Sequence, residues 1–350
     1  MKGRVIIYAP NIHTGGGIVL LKSIIKNWPA DVTLHGYFDS RASETLEFMD
    51  NSKITWVNPT LTSRFKAEIS LSKVGCSNDT VLFLNSLPPF FTQKGRTIVF
   101  MQNRNLIDSI SFQDLKFKQA LNIFIQRFLA YWMRFKVDEY IVQTDSLKRD
   151  LEKWFKFKDV AKNPLISVFP FMNSDNFPTS LKLTNPKIEF DFIYVADGLP
   201  HKNHSILFKA WEILANEDYF PLLAITISPS EKKLLKKVSM LQEQGIKILN
   251  LGWLSHHEVL LKYKSCRCLI FPSLRESFGL PLVEANKLDL PILASELDYV
   301  YDVCEPTVTF DPNSPRSVAR AVKRFLNIKT SIKKMQDPKD FVRYICNFLN

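Results

Sequence analysis

The chain has 350 residues, 46% hydrophobic and 23% charged. That composition excludes a disordered or collagenous protein, and at roughly 150 residues per domain it points to two domains. Lys and Arg number 46 against 35 Asp and Glu, for a net charge of +11. The excess lies mainly in residues 1–172, with 23 Lys/Arg and 15 Asp/Glu. Unless this is only a generally basic background, that half should draw anionic partners: phosphorylated substrates, an acidic membrane surface or nucleic acid. Five scattered cysteines (Cys76, Cys266, Cys268, Cys304, Cys346) argue against a disulfide framework and for a reducing cytoplasm. The first apolar run, Arg4–Ala9, ends at Pro10 and is too short for a secretion signal. No stretch reaches the ~18 uninterrupted apolar residues of a spanning helix.

In chain order the expected strands are Arg4–Ala9, Val32–Phe38, Val81–Leu84, Thr97–Met101, Tyr140–Gln143 and Ile166–Phe169. A second series follows: Phe190–Val195, Leu222–Ile227, Ile246–Leu249, Cys268–Phe271, Ile292–Ala294 and Val308–Phe310. Most are continuously apolar, as strands covered on both faces are, and helical stretches separate them. The fold class is therefore α/β, with two doubly wound Rossmann-like domains facing across a cleft. Residues 1–170 form the first domain and 188–335 the second. The Pro-rich segment 171–187 links them, and 336–350 is expected to be a helix crossing back to the first domain.

After the first strand, Gly15, Gly16 and Gly17 open a helix, where bare backbone can approach an anion. Gly15 and Gly17 match the first two glycines of the dinucleotide fingerprint, but Leu20 occupies the third position. Asp39, at the end of the second strand, keeps a dehydrogenase reading open beside those two glycines; a tight turn without a ligand is the plainer alternative.

Between Leu115 and Lys136, Phe117, Leu121, Phe124, Ile125, Phe128, Trp132 and Phe135 share one helical face. Lys116, Arg127 and Arg134 line one edge, Lys118 and Lys136 the other, and no acid lies between Asp114 and Asp138. Because a strand follows directly, the stripe is expected to be buried against the sheet. The competing reading is a helix docked at an anionic bilayer.

In the second half, Phe271-Pro-Ser-Leu-Arg-Glu-Ser-Phe-Gly-Leu-Pro-Leu-Val-Glu-Ala reads as strand, loop and helix start. Glu276 and Glu284 can face one cleft mouth, with the N–H groups of Phe278, Gly279 and Leu280 between them at a helix N-terminus. Carboxylates on either side of an anion hole suit a ligand with a diphosphate centre and hydroxyls at both ends, as in a nucleotide sugar. Without a ligand, Glu276 is a solvated loop residue and Glu284 complements the helix dipole.

This run resembles the signature of family 4 retaining glycosyltransferases of the GT-B fold. Tyr194-Val-Ala-Asp-Gly-Leu-Pro-His-Lys-Asn-His is similar to the loop in which those enzymes place a donor-phosphate lysine. The likeness is strongest over roughly residues 187–325, and its details are similar to bacterial O-antigen and surface-polysaccharide transferases. It implies Glu276 and Lys202 as catalytic residues, and Glu284 as the ribose ligand. Ser277, Phe278, Gly279, Leu280, Gly16, Gly17 and Asn203 complete the implied donor site. The family's second cation, five residues before the lysine, is Asp197 in this chain, so Arg275 or Arg104 is expected to replace it. His13 is the candidate for the family's N-terminal pocket histidine.

The implied reaction moves a sugar from a nucleotide-diphosphate donor to a glycan or lipid-linked acceptor, with no cofactor. No Asp-x-Asp occurs, and His201, His204, His256, His257 and Cys266-Arg-Cys268 lack zinc-site spacing, so no metal is expected. Nucleic acid is not an expected partner, because the aromatics fall in helical stripes and strand cores. The expected location is cytoplasmic, with attachment to the inner face of the plasma membrane left open. Two alternatives remain at this point: a GT-B sugar-nucleotide epimerase, and a non-catalytic basic protein binding a membrane surface or nucleic acid.

Overall fold

A computed structural model describes residues 3–48, 52–84, 86–107, 117–155, 163–171 and 187–328. Strands β1 (Val5–Ala9), β2 (His35–Asp39), β3 (Lys53–Val57), β4 (Thr80–Phe83), β5 (Arg96–Phe100), β6 (Glu139–Val142) and β7 (Leu165–Val168) form one parallel sheet. Its order is β3-β2-β1-β4-β5-β6-β7. The helices of this half are α1 (Gly15–Lys26), α2 (Leu61–Val74), α3 (Phe117–Met133) and α4 (Asp145–Phe155).

The second sheet holds β8 (Phe190–Tyr194), β9 (Leu223–Ile225), β10 (Ile248–Asn250), β11 (Cys266–Phe271), β12 (Ile292–Ser295) and β13 (Val308–Phe310). Its order is β10-β9-β8-β11-β12-β13. Helices α5 (His204–Ala215), α6 (Lys232–Glu243), α7 (His256–Lys264), α8 (Leu280–Lys287), α9 (Asp298–Tyr301) and α10 (Pro315–Phe325) accompany it. The expected linker lies outside the described residues except at Phe171 and Lys187, and the expected C-terminal helix 336–350 lies outside them entirely.

The continuous apolar strands are buried on both faces, as helices on each side of a parallel sheet require. Ile6, Ile7, Tyr8 and Ala9 are all buried, as are Cys268, Leu269, Ile270 and Phe271. Trp211 of α5 shows how the second core closes. Its ring meets Phe192 edge-on at 5.7 Å, and its indole N–H donates to the Pro221 carbonyl at 2.8 Å. A buried indole thus keeps its one hydrogen bond.

Strand order reverses between β1 and β4 in one sheet and between β8 and β11 in the other, which opens a crevice at the C-terminal end of each pair.

Two expectations need correction. β3 is absent from the expected strands: Lys53, Thr55 and Trp56 are exposed at the sheet edge, so it lacks the apolar run that marks a covered strand. The stripe of α3 is not buried. Leu121, Phe124, Ile125, Phe128 and Trp132 are exposed, while Ala130 and Met133 on the opposite side are covered. Nor does Arg134 edge the stripe as a free cation. It is buried, its guanidinium lies 3.6 Å from the Tyr131 ring centre, and it donates to the Tyr131 carbonyl.

Candidate active site

The two crevices face each other and enclose a cleft of about 1430 Å³. His13 and Gly15–Gly17 line it from the first domain; Lys202, the segment 276–281 and Glu284 line it from the second. Gly15 has φ +65°, a region costing an L-residue roughly 1–2 kcal/mol. A Cβ on Gly16 would stand 2.9 Å from Leu280 Cδ1, so the start of α1 nearly touches the start of α8. Two helix N-termini from different domains therefore converge, each presenting its positive dipole end to the cleft. Gly279 (φ +74°) caps α8 and lets the chain turn from Glu276 into the helix.

Lys202 ends a 3-10 turn, Pro200–Lys202, directly after β8. The Tyr194 hydroxyl donates to the Lys202 carbonyl at 2.6 Å, anchoring that turn on the sheet, and the ammonium lies 2.7 Å from Glu276 Oε1. Neighbouring His201 has its pKa lowered to about 4, by burial first and then by the Lys202 charge, so its imidazole is neutral at physiological pH.

Glu284, only 4% exposed, accepts from His256 Nε2 at 2.9 Å. Local sequence places that histidine. Ser255 and Glu258 form a reciprocal capping box, Ser255 N–H donating to Glu258 Oε2 at 2.7 Å, which fixes the first turn of α7 beside α8.

The structure brings together Glu276, Lys202, Glu284, Ser277, Phe278, Gly279, Leu280, Gly16, Gly17 and His13. Three of the expected residues serve otherwise. Asn203, in the left-handed conformation, gives its amide N–H groups to the carbonyls of Pro272 (3.3 Å) and Pro312 (2.8 Å); it braces the lysine turn and does not line the cleft. Arg104 is engaged by Asp150, Ser146 Oγ (3.3 Å) and the Glu276 carbonyl (3.2 Å), so it ties the domains together. Arg275 is not among the cleft-lining residues; its charge lies near His201.

Asp197, where a second cation was sought, builds the turn. Its Oδ1 accepts from Leu199 N–H at 3.2 Å, and its carbonyl from His204 Nε2 at 2.8 Å. Among the described cleft-lining residues, Lys202 is the one lysine or arginine of the second domain. Ser277 lines the cleft, but its hydroxyl donates to the Gln102 carbonyl across it, and its own carbonyl accepts from Thr144 Oγ1 at 3.2 Å.

Sequence reasoning missed His256, weighed only as a metal ligand, and the stitches from Gln102, Thr144 and Ser146. The adjacent pair His256–His257 in a capped first turn was the available signal for the first; nothing local marked the others. Among the described residues, no group of three or more His, Cys, Asp or Glu is placed to hold a metal, and no helix is long and apolar enough to cross a membrane.

Residues 179–343 match the family model described as glycosyl transferases group 1. The serotype-specific mannosyltransferase WbdA of Escherichia coli is 25% identical over 221 residues, which is 58% of this chain and 27% of that protein. The O-antigen chain mannosyltransferase RfbU of Salmonella typhimurium is 24% identical over 150 residues, 42% of this chain and 41% of that one. The chain thus spans less than half the length of these relatives. Among solved structures, sucrose-phosphate synthase from Thermosynechococcus elongatus superposes with TM-score 0.67 at 14% identity, covering 93% of this chain and 90% of that one. The lipopolysaccharide outer core galactosyltransferase WaaB superposes at 0.57 with 16% identity, covering 95% and 92%. The shared fold is GT-B.

Proposed function

We propose that the protein, whose residues 179–343 match the family model of group 1 glycosyl transferases, is a retaining, metal-independent glycosyltransferase. It moves a sugar from a nucleotide diphosphate to a hydroxyl of a glycan or lipid-linked acceptor, in bacterial surface-polysaccharide or O-antigen synthesis. The observation that carries the reading is the Lys202–Glu276 contact at 2.7 Å beside the N-terminus of α8, with buried Glu284 at the other end of the same segment. A cation and free amides take the diphosphate, Glu284 takes ribose hydroxyls, and Glu276 takes donor-sugar hydroxyls while exchanging its hold on the lysine.

In this reading the bond from the anomeric carbon to the diphosphate oxygen breaks as the acceptor oxygen bonds on the same face. The acceptor proton passes to the departing diphosphate, so no side-chain nucleophile is needed. Charge developing on that leaving group is met by Lys202 and the preorganised amides of α8. An epimerase on the same fold would use the same donor pocket and release no glycoside.

The test is a donor screen by thermal shift and calorimetry with UDP-, GDP- and ADP-sugars, GDP-mannose first because the similar curated proteins are named mannosyltransferases. Donor binding followed by transfer with retained configuration is expected. Binding of no nucleotide sugar would defeat the reading, and a donor converted without a glycoside product would favour the epimerase.

A further inference from the structure

We propose that the outward face of α3 docks on the anionic surface of a lipid bilayer. Leu121, Phe124, Ile125, Phe128, Tyr131 and Trp132 are all exposed there, Trp132 by 72%. At 100° per residue they fall within about one third of the helix circumference. Ala130 and Met133, on the other side, hold the helix to the domain. A six-residue apolar face turned outward exceeds the scattered single apolar residues of ordinary surfaces, and marks an interaction site.

Charge selects the occupant. Residues 115–137 contain no acid, Arg127 stands at the edge of the face, and residues 1–172 carry a net +8. Just beyond the helix, Lys136 donates to the Phe90 carbonyl, and the half-exposed rings of Phe90 and Phe65 meet at 6.2 Å. The apolar surface thereby continues onto α2, where Lys66 is exposed. A second copy would bring like charges together, whereas anionic headgroups offset them. Trp132 and Tyr131 suit the headgroup level, where an aromatic body is covered and its polar tip stays wet.

The location is also productive. α3 packs on the 3-10 turn Arg104–Leu106, whose Arg104 reaches the Glu276 carbonyl at 3.2 Å, so a docked bilayer would lie beside the cleft mouth. That last link, to a lipid-borne acceptor, rests on the transferase reading; the docking does not.

The experiment is co-sedimentation of the full chain with phosphatidylcholine vesicles with and without phosphatidylglycerol. Binding is expected only with phosphatidylglycerol, weaker at high salt, and reduced at least about tenfold in F124S/F128S/W132S at unchanged melting temperature. Should that variant melt early, Phe128→Glu alone should give the same loss. A tryptophan emission shift on binding should disappear in Trp132→Phe. The proposal is overturned by absence of binding to anionic vesicles, by equal binding of the folded variants, or by a dimer in solution that the triple substitution dissociates. Nucleotide calorimetry on the same samples reads the donor site separately, so failure of docking and failure of the transferase reading are distinguishable.

Discussion

Lys202 meets Glu276 at 2.7 Å, and Asp197 occupies the position where a second cation would otherwise help. Arg104 is committed elsewhere, so in the proposed reaction the second domain meets the diphosphate charge with one lysine and the helix amides. Removing a preorganised group that meets developing charge costs about 10²–10³-fold in turnover. Lys202→Ala should reach the upper end with an unchanged melting temperature; a loss below about tenfold in a steady-state assay would contradict this. For the same reason activity should survive EDTA with at most a modest loss. Complete loss restored by Mg²⁺ or Mn²⁺ would show that a metal carries the charge. In the proposed donor complex, His256 acts through Glu284, which its Nε2 meets at 2.9 Å. His256→Ala should therefore raise the donor KM while kcat changes little, the pattern of lost uniform binding, and His256→Gln should recover part of it. An equal fall in kcat would make the histidine part of the chemistry.

At the scale of elements, what matters is how helix ends and strand ends are fixed. Asn203 braces the turn after β8, the capping box sets the start of α7, and glycines allow α1 and α8 to approach. Helix α2 shows a different constraint. Its Glu68 is buried, accepts from the Phe91 N–H at 2.9 Å, and has its pKa raised to about 7, chiefly by burial and against the pull of the Phe91 and Phe90 amides and Lys136. The native state thus holds this proton more tightly than the unfolded chain. The resulting stability is complete below the ordinary value of 4.5 and is lost as pH rises through about 7. Glu68→Gln removes the ionisation while keeping an acceptor. The variant should be more stable than the parent at pH 8, by up to about 3 kcal/mol, with the gap narrowing towards pH 5. Melting curves across that range test it, and a gap independent of pH would refute it.

At the scale of the molecule, the cleft is held by a few polar bonds between domains. Besides those of Arg104, they include Ser277 to Gln102, Thr144 to Ser277, and the Ser146 N–H to Asp302 Oδ2 at 3.0 Å. In the proposed reaction such contacts would break and reform as donor enters and nucleotide leaves, which is how many cleft enzymes gate turnover. Arg104→Ala removes the central tie. Small-angle scattering should show a larger radius of gyration than the parent without ligand, with donor restoring part of the compaction. An unchanged radius would mean the remaining bonds hold the closed form unaided.

By itself the sequence determined the parallel architecture and the local geometry at the heart of the candidate site. Continuous apolar strands report burial on both faces wherever they occur, and the segment from Phe271 to Ala285 is one local strand–turn–helix unit whose spacing sets both carboxylates and the amides between them. Only the tertiary structure decided the rest. Periodicity shows that α3 has an apolar face but not what covers it, and here the covered side is the one with Ala130 and Met133. The residue types at Arg104, Ser277 and Asn203 fit an anion or sugar site, yet long-range pairing spends them on backbone carbonyls first. Arg104 meets Glu276 across 172 positions of chain, and His256 meets Glu284 across 28. No local pattern encodes such a meeting, because it depends on how two separately folded sheets and the loops at their ends close on each other.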